Sequence, residues 1–177
     1  MIQKLRVKFI TASMLSLALV LLVILGGVNA MSYQKVVRDA DRILALLSEN
    51  RGVFPQQTPP DDRGGKPGPI PVLGHGISPE TPFESRFFSV LLNEKGQVLQ
   101  SDTGQIAAVD DQSAGEMAQA VWSSGSASGF QGDYRYIRAA EAEGTRFIFV
   151  DCGRSLSNFR TTLIASVLVA LAGLLAV

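Results

Sequence analysis

The side chains best suited to bind a small molecule are tyrosine and arginine residues in the last third of the chain. Arginine presents a planar, permanently charged fork that favours a carboxylate or a phosphate, and ligand pockets combine apolar walls with a few such polar groups. The same side chains could instead form cross-strand pairs on a half-exposed sheet. We predict five ligand-binding candidates: Tyr134, Arg135, Tyr136, Arg138 and Arg146.

The sequence predicts no catalytic, cofactor-binding or metal-binding residue. A P-loop, HExxH, CxxC and GxSxG are all absent. One histidine, His75, and one cysteine, Cys152, cannot form a closed zinc site without several carboxylates. The lone cysteine excludes an internal disulfide and is typical of a small buried hydrophobic residue. Asp61-Asp62 and Asp110-Asp111 could bind a divalent cation, but paired acids more often form a solvated turn or a helix start.

Two uncharged apolar runs lie near the ends of the chain. Residues 9–31 would span roughly 35 Å as a helix, which is enough to cross a bilayer. Residues 161–177 would span about 25 Å, slightly less than the hydrocarbon core, so we expect this second span to be truncated. The sequence therefore predicts two transmembrane helices and contact with membrane lipid.

The charges predict which side of the membrane each part occupies. Three of the 16 basic residues, Lys4, Arg6 and Lys8, precede the first span, while all 16 acidic residues lie between the two spans. The positive-inside rule then keeps residues 1–8 in the cytoplasm and exports residues 32–160 across the cell membrane. The mildly acidic exported part argues against nucleic acid as a partner. A cleavable signal peptide ending near Ala30 is the alternative for the first segment, although its apolar run is long for one.

Residues 32–51 continue the first span as an amphipathic helix. Its apolar positions recur at helical spacing, and Gly52 is expected to end the pattern. Either a second copy of the chain or the rest of the same domain could cover this apolar stripe. For a parallel homodimer the predicted seam consists of Val36, Ile43, Leu44 and Leu47.

A Pro/Gly-rich segment, residues 52–85, separates this helix from the folded part. It contains all eight prolines of the chain, so neither a helix nor a central strand can persist there. Loops of this length are either disordered or functional, and the composition favours disorder.

Residues 86–153 have the patterning of a small antiparallel sheet and one helix. Two hairpins are predicted, with turns at residues 93–96 and 141–144. Between them a helix is expected from a capping box of Ser113 and Glu116 to a stop at Gly125. The fold class is therefore α+β, with a sheet of about four strands, one covered face and a long N-terminal helix that completes the core. Residues 154–160 connect this folded core to the second span.

The order of these segments resembles the N-terminal sensor region of bacterial two-component sensor histidine kinases. The stretches that carry the resemblance are RFFSVLLNEKGQVLQSDTGQIAAVD, GFQGDYRYIR and RFIFVDCGRSLSNFRTTL, which look like extracytoplasmic domains from Gram-positive, clostridia-like bacteria. The resemblance covers nearly the whole chain and implies a PAS-like sensor fold, with a ligand pocket between the sheet and the helix that carries Trp122. It also implies a homodimer and, through further domains, a cytoplasmic response regulator as partner.

The chain departs from that family because no kinase domain follows the second span. ATP, Mg²⁺ and the phosphorylated histidine belong to those missing domains, and His75 in the Pro/Gly-rich loop lacks the setting of a phosphoacceptor. Whether the chain is an enzyme therefore stays open at this stage. The alternative function is a complete two-span accessory protein that binds a ligand or a neighbouring receptor, for which Ala170, Ala172, Gly173 and Ala176 offer small-residue surfaces. An exported enzyme is a third class, which would need unrecognised chemistry in the loop.

Overall fold

A computed structural model describes residues 2–55, 78 and 80–175. It contains four helices and five strands within these residues. In chain order they are α1 (Ile2–Glu49), α2 (Thr81–Glu84), β1 (Phe87–Leu92), β2 (Val98–Asp102), α3 (Asp111–Ser124), β3 (Ser128–Gln131), β4 (Tyr134–Glu141), β5 (Gly144–Asp151) and α4 (Gly153–Leu175). Most of the predicted Pro/Gly-rich loop, with His75 and Asp61-Asp62, lies outside the described residues. The expectation that no helix forms in residues 52–85 is wrong for its end, where the short helix α2 contains Pro82 in its first turn, a position at which proline is tolerated.

The chain forms two compact units. Met1–Val37 and Arg154–Val177 make up the first, and Arg38–Gly153 the second. We call the first the helical unit and the second the sheet unit. The helical unit contains most of α1 and almost all of α4, and the ring centroids of Tyr33 and Phe159 lie 5.8 Å apart within it.

Helix α1 is continuous from the first apolar run into the amphipathic segment, as the pattern predicted. At its end the backbone N–H groups of Asn50 and Gly52 both donate to the carbonyl of Leu47. Gly52 has a φ of 82°, a left-handed conformation that glycine adopts readily. Among the described residues, two helical stretches are long and apolar enough to cross a membrane, Lys8–Glu49 and Gly153–Gly173.

The sheet unit is built on one antiparallel sheet of five strands in the order β2-β1-β5-β4-β3. Both predicted hairpins are present: Asn93 and Gly96 lie in the β1–β2 turn, and Glu141 pairs with Gly144 at the β4–β5 turn. The expectation of about four strands missed β3. Its sequence, Ser-Gly-Phe-Gln, lacks the β-branched residues by which a strand is recognised.

The sheet has two covered faces, whereas the sequence led us to expect one. Alternate residues of β1 and β5 belong to two separate apolar clusters. The cluster shared with α3 includes Phe88, Val90, Leu92, Ile106, Val109, Ala114, Ala118, Val121, Tyr136, Phe147 and Phe149. The cluster shared with α1 consists of Leu44, Leu47, Phe87, Ile148 and Val150. We call the two sides the α3 face and the α1 face.

The start of α3 also differs from the predicted capping box. Asp110, not Ser113, is the N-cap residue, and its side chain accepts a hydrogen bond from the backbone N–H of Ser113 at 2.8 Å. The helix therefore begins earlier than expected, since an Asp at this position satisfies an unpaired N–H group as well as a Ser does. Gly125 ends the helix with a φ of 71°, as predicted.

Replacing Leu47 by alanine should destabilise the sheet unit. Leu47 is fully buried, and removing such a side chain costs about 2–5 kcal/mol of unfolding free energy. Urea unfolding of the full chain in detergent, followed by the fluorescence of Trp122, the only tryptophan, measures that loss. Leu99→Ala is the matched control because Leu99 on β2 is half exposed; equal losses for both variants would contradict the packing of α1 on the sheet.

Candidate functional site

The five predicted ligand-binding residues lie on both faces of the sheet. Tyr134, Tyr136 and Arg138 alternate with Arg135 along β4, and Arg146 lies on β5 beside Ala139. Because neighbouring residues of a strand point to opposite faces, the first three lie on the α3 face and the two others on the α1 face. The structure therefore does not bring the five together in one pocket.

On the α3 face, the two tyrosines are part of the packing between sheet and helix. Tyr136 is buried with its ring 5.8 Å from that of Phe149. Tyr134 meets Phe88 edge to face at 5.5 Å, and burial is the main cause that raises its pKa. Arg138 is exposed, with its guanidinium 6.0 Å from the centre of the Phe147 ring. The space between the sheet and α3, where a pocket was expected, is filled by apolar side chains.

On the α1 face, Arg135 holds the end of α1 to the sheet. Its Nε donates to Oδ1 of Asp41 at 2.8 Å, and a second N–H donates to the other carboxylate oxygen at 3.4 Å. The guanidinium also lies 5.1 Å from the centre of the Phe130 ring. This two-pronged geometry gives the pair orientation as well as charge.

Arg146 lies on the same face but has a different partner. Nε and a terminal N–H of Arg146 donate to the two carboxylate oxygens of Glu141 at 2.6 and 3.2 Å, and the other terminal nitrogen donates to Oγ of Ser89 at 3.3 Å. Only 8% of the Arg146 side chain is exposed. A guanidinium has five N–H groups, so two remain after these three bonds.

A polar cavity of about 580 Å³ lies over Arg146, at the part of the α1 face that lies past the end of α1. Its floor is the neighbouring pair Leu91 and Arg146, both buried. Its rim is mostly polar and comes from the last turn of α1 and the turn after it, from β2, and from the end of β4 and the β4–β5 turn: Ser48, Arg51, Gln100, Ala140, Glu141, Ala142 and Glu143. We call this space the Arg146 cavity.

The backbone beside the Arg146 cavity is conformationally special. Arg51 has a φ of 56° and is the only described residue other than glycine with a positive φ. Gly52 follows, and a Cβ at that position would lie 2.8 Å from Oγ of Ser89 and 3.3 Å from Cδ of Arg146. The missing side chain of Gly52 thus lets the backbone lie against the buried arginine.

Sequence reasoning found Arg146 but missed the other residues around this cavity. Glu141 could have been paired with Arg146, since both flank the predicted hairpin turn. Ser48, Arg51 and Gln100 come from distant positions along the chain, and no local pattern indicates that they meet. Asp41 likewise pairs with Arg135 across 94 positions.

The remaining candidate residues have structural roles where they are described. Asp110 caps α3, and hydrogen bonding by Ser113 lowers its pKa; Asp111 accepts hydrogen bonds from Ser101 and Thr103. Cys152 is buried, and burial raises the pKa of its thiol. Among the described residues, no three His, Cys, Asp or Glu side chains are grouped to hold a metal ion.

Two of the four predicted seam residues are covered within the sheet unit. Leu44 and Leu47 are buried in the cluster on the α1 face, and Ile43 packs against it. Of the two alternatives for the apolar stripe, packing on the same domain is the one found for these residues. Val36 belongs to the helical unit, and the homodimer itself stays a prediction.

Comparison with known protein families, with curated proteins and with solved structures finds no match to this chain. The fold and the helices define the class of the protein: an α+β sheet unit whose chain continues at each end into an apolar helix of membrane-spanning length.

The buried thiol of Cys152 should react slowly in the folded protein. Burial raises its pKa, and the thiolate is the reactive form, so labelling by a maleimide at pH 8 should be at least about tenfold slower than in urea. Because the pKa of this thiol is higher in the folded than in the unfolded protein, its contribution to stability is complete below the unfolded pKa. That contribution is lost as the pH rises through the folded pKa. Lys95→Cys in a Cys152→Ser background, at an exposed turn, is the control that should label rapidly in both conditions. Equal native and denatured rates for Cys152 would show that the thiol is open to solvent.

The ion pair between Asp41 and Arg135 should contribute measurably to packing of α1. Half of the Asp41 side chain is shielded and most of the Arg135 side chain is buried, so a coupling of about 1 kcal/mol is expected, near the upper end for pairs with partial exposure. A double-mutant cycle with Asp41→Asn and Arg135→Gln, measured by urea unfolding, gives this value. The same cycle on Asp39 and Arg42, an exposed pair at 3.6 Å, should give less than about 0.5 kcal/mol. A larger coupling for the exposed pair would contradict the assignment.

Proposed function

We propose that this chain is the membrane-anchored, extracytoplasmic sensor module of a two-component sensor histidine kinase. In this proposal residues 1–8 are cytoplasmic, residues 9–31 and 161–177 span the cell membrane, and the part between them meets the stimulus. The PAS-like character of the fold, the homodimer and the response regulator as downstream partner belong to the same proposal. Phosphotransfer, with ATP and Mg²⁺, would be the work of domains beyond this chain.

The observation that carries the proposal is the chain path into and out of the sheet unit, since α1 continues unbroken from the apolar run into the residues that cover the sheet. The last turns of α1 supply Ala40, Leu44 and Leu47 to the buried core, and Arg135 holds Asp41 on the same turns. At the other end of the chain, a single residue, Cys152, separates β5 from α4. A helix that serves only as a membrane anchor can be joined to its domain by a long loop, whereas a helix that relays a signal requires a direct connection.

The start of α4 is fixed to the sheet by several short contacts. The backbone N–H of Cys152 donates to the carbonyl of Asp133 at 2.9 Å, and that of Asp151 to the carbonyl of Arg86 at 2.8 Å. The carboxylate of Asp151 accepts from the backbone N–H of Gly153 at 2.8 Å and lies 3.4 Å from the Arg86 guanidinium. Gly153, the first residue of α4, is therefore held at this edge of the sheet.

Such a relay has a thermodynamic requirement. A stimulus shifts two states only by the difference in its affinity for them, and a change from 1:99 to 99:1 requires about 5.5 kcal/mol of difference. Helix displacements of about 1–2 Å are sufficient to carry a signal of this kind. Small displacements of this kind suit a packed core such as that of the sheet unit, because packed cores do not deform continuously.

The rival proposal is a two-span accessory protein without a kinase output. A groove in the helical unit favours it, since Gly26, Leu163 and Ala170 are among the residues that line an apolar space of about 470 Å³ between α1 and α4. Small residues at such a place permit close helix packing. Sequencing the gene downstream of the codon for Val177 separates the two proposals. An open frame that continues into a histidine-bearing helix supports the sensor kinase, and a stop codon supports the accessory protein.

The topology is tested by cysteine labelling in spheroplasts with a membrane-impermeant maleimide. In the Cys152→Ser background, Lys95→Cys should be labelled in intact spheroplasts because the sheet unit is proposed to be exported. Lys8→Cys should be labelled only after permeabilisation, since its basic segment is proposed to stay inside. The reverse pattern, or labelling of both sites in intact spheroplasts, would refute the proposed orientation.

A further inference from the structure

We infer that the Arg146 cavity binds a small zwitterion, a molecule that carries both a carboxylate and an ammonium group. This inference deepens the proposed sensor function by assigning it a ligand class and a site. The site differs from the one expected between the sheet and α3, where apolar side chains fill the space.

The cavity exists because α1 is shorter than the sheet face that it covers. The helix ends at Glu49, and the strands continue past that point, so Leu91 on β1 and Arg146 on β5 lie beyond the helix. These two residues are directly paired across the sheet, and Gln100 on β2 pairs with Leu91 in the same row. The result is a concave space with a buried floor and a volume of about 580 Å³, within the range of small-molecule sites.

The buried guanidinium of Arg146 is the first feature that indicates a ligand. Glu141 and Ser89 occupy three of its five N–H groups. Each of its three nitrogens has a partner, so the guanidinium is held in place before any ligand enters, with two N–H groups left over. A carboxylate that enters the cavity could accept the remaining N–H groups.

The rim indicates the charges of the ligand. Arg51 and Glu143 both line the cavity, and neither side chain has a hydrogen bond or an ion pair with another described residue. Glu141 already neutralises Arg146, so within the described part of the chain the cavity lining presents one unpaired cation and one unpaired anion. A zwitterion matches this balance, with its carboxylate on Arg51 and Arg146 and its ammonium on Glu143. A dianion would meet Glu143 with the wrong sign, and a simple amine would leave Arg51 without a partner.

The backbone at Arg51 supports a binding role for that side chain. A positive φ costs a residue with a Cβ about 1–2 kcal/mol, and Asn or Gly is the usual choice where a helix ends in this conformation. The strained residue here is an arginine that lines a cavity. Gly52, whose missing side chain accommodates Arg146 and Ser89, fixes the turn that directs the chain past the cavity.

The test is a thermal-shift panel on the full chain in detergent. The probes are the twenty common α-amino acids at 10 mM, with acetate, succinate and ethylamine as compounds that carry only one kind of charge. A ligand that binds the folded state raises the unfolding midpoint in proportion to ln(1 + [L]/Kd). We expect at least one amino acid to raise the midpoint and the three single-charge compounds to leave it unchanged.

Variants then assign the site. Arg51→Gln and Glu143→Gln should each weaken binding of the active amino acid at least about tenfold, the loss expected for one charge-assisted hydrogen bond. The matched controls Arg42→Gln and Glu94→Gln change exposed residues that do not line the cavity, and they should bind as the unaltered chain does. Arg146 is left unchanged because its replacement would leave Glu141 without its ion-pair partner and would destabilise the fold.

Three results would overturn the inference: no shift with any amino acid, an equal shift with acetate or ethylamine, or binding that both rim variants retain. None of these bears on whether the sheet unit is exported or whether a kinase follows it. Conversely, a reversed topology or a stop codon after Val177 would refute the sensor-kinase proposal and leave a positive binding result intact. The two proposals can therefore fail separately.

Discussion

The β1–β5 pair at the centre of the sheet sets the constraint on which the other elements depend. All six residues of β1 and five consecutive residues of β5 are buried, and alternate residues of a strand face opposite sides. Both faces must therefore be covered, because each exposed Å² of apolar surface would cost about 25 cal/mol. Helix α3 covers one face, and the end of α1 covers the other. A helix that begins in an apolar, membrane-length segment is thus also a component of the folded core.

The two arginines of the α1 face illustrate what the length of α1 decides. Arg135 lies where the helix passes over the sheet, and its partner Asp41 comes from that helix. Arg146 lies beyond the helix end, and its partners Glu141 and Ser89 come from the sheet itself. Arg135 thereby attaches α1 to the sheet, while Arg146 is held by the sheet itself and lines the Arg146 cavity. The two arginines differ in role because one lies under α1 and the other lies past its last residue, Glu49.

The sequence was sufficient for features that depend on local pattern. The unbroken apolar run into the amphipathic helix, both hairpin turns, and the helix stops at Gly52 and Gly125 are all encoded within a few residues. The two covered faces do not follow from the alternation of β4, which is that of a strand with one exposed side; the nearly continuous apolar run FFSVLL of β1 is the pattern that indicates them. Strand β3 was missed because its pairing with β4, and not its own composition, makes it a strand.

The candidate site was less accessible to sequence reasoning, for a physical reason. The sequence shows the type of each polar residue. The role of that residue depends on the face of the sheet and the end of the strand at which it lies. Tyr134 and Tyr136 are residue types common in binding sites, yet they are part of the packing. Ser48, Gln100 and Glu143 line the cavity, although no sequence pattern marks them as binding residues. These residues come together only through the register of β1 with β2 and β5 and through the position where α1 ends.

Strand β5 offers a physical route by which the Arg146 cavity and the start of α4 could be coupled. Arg146 near its beginning forms the cavity floor, and Asp151 at its end accepts the N–H of Gly153 and pairs with Arg86. The two are five residues apart, or about 17 Å along a strand. A continuous strand alone does not transmit a signal, since coupling requires an element with two arrangements that both sites bias. The strained backbone nearest to the cavity is the turn at Arg51 and Gly52, where a positive φ at Arg51 adjoins the packing of Gly52 against Arg146 and Ser89. A ligand that relieved or deepened this strain would therefore act on the end of α1, the part of that helix that packs against the sheet.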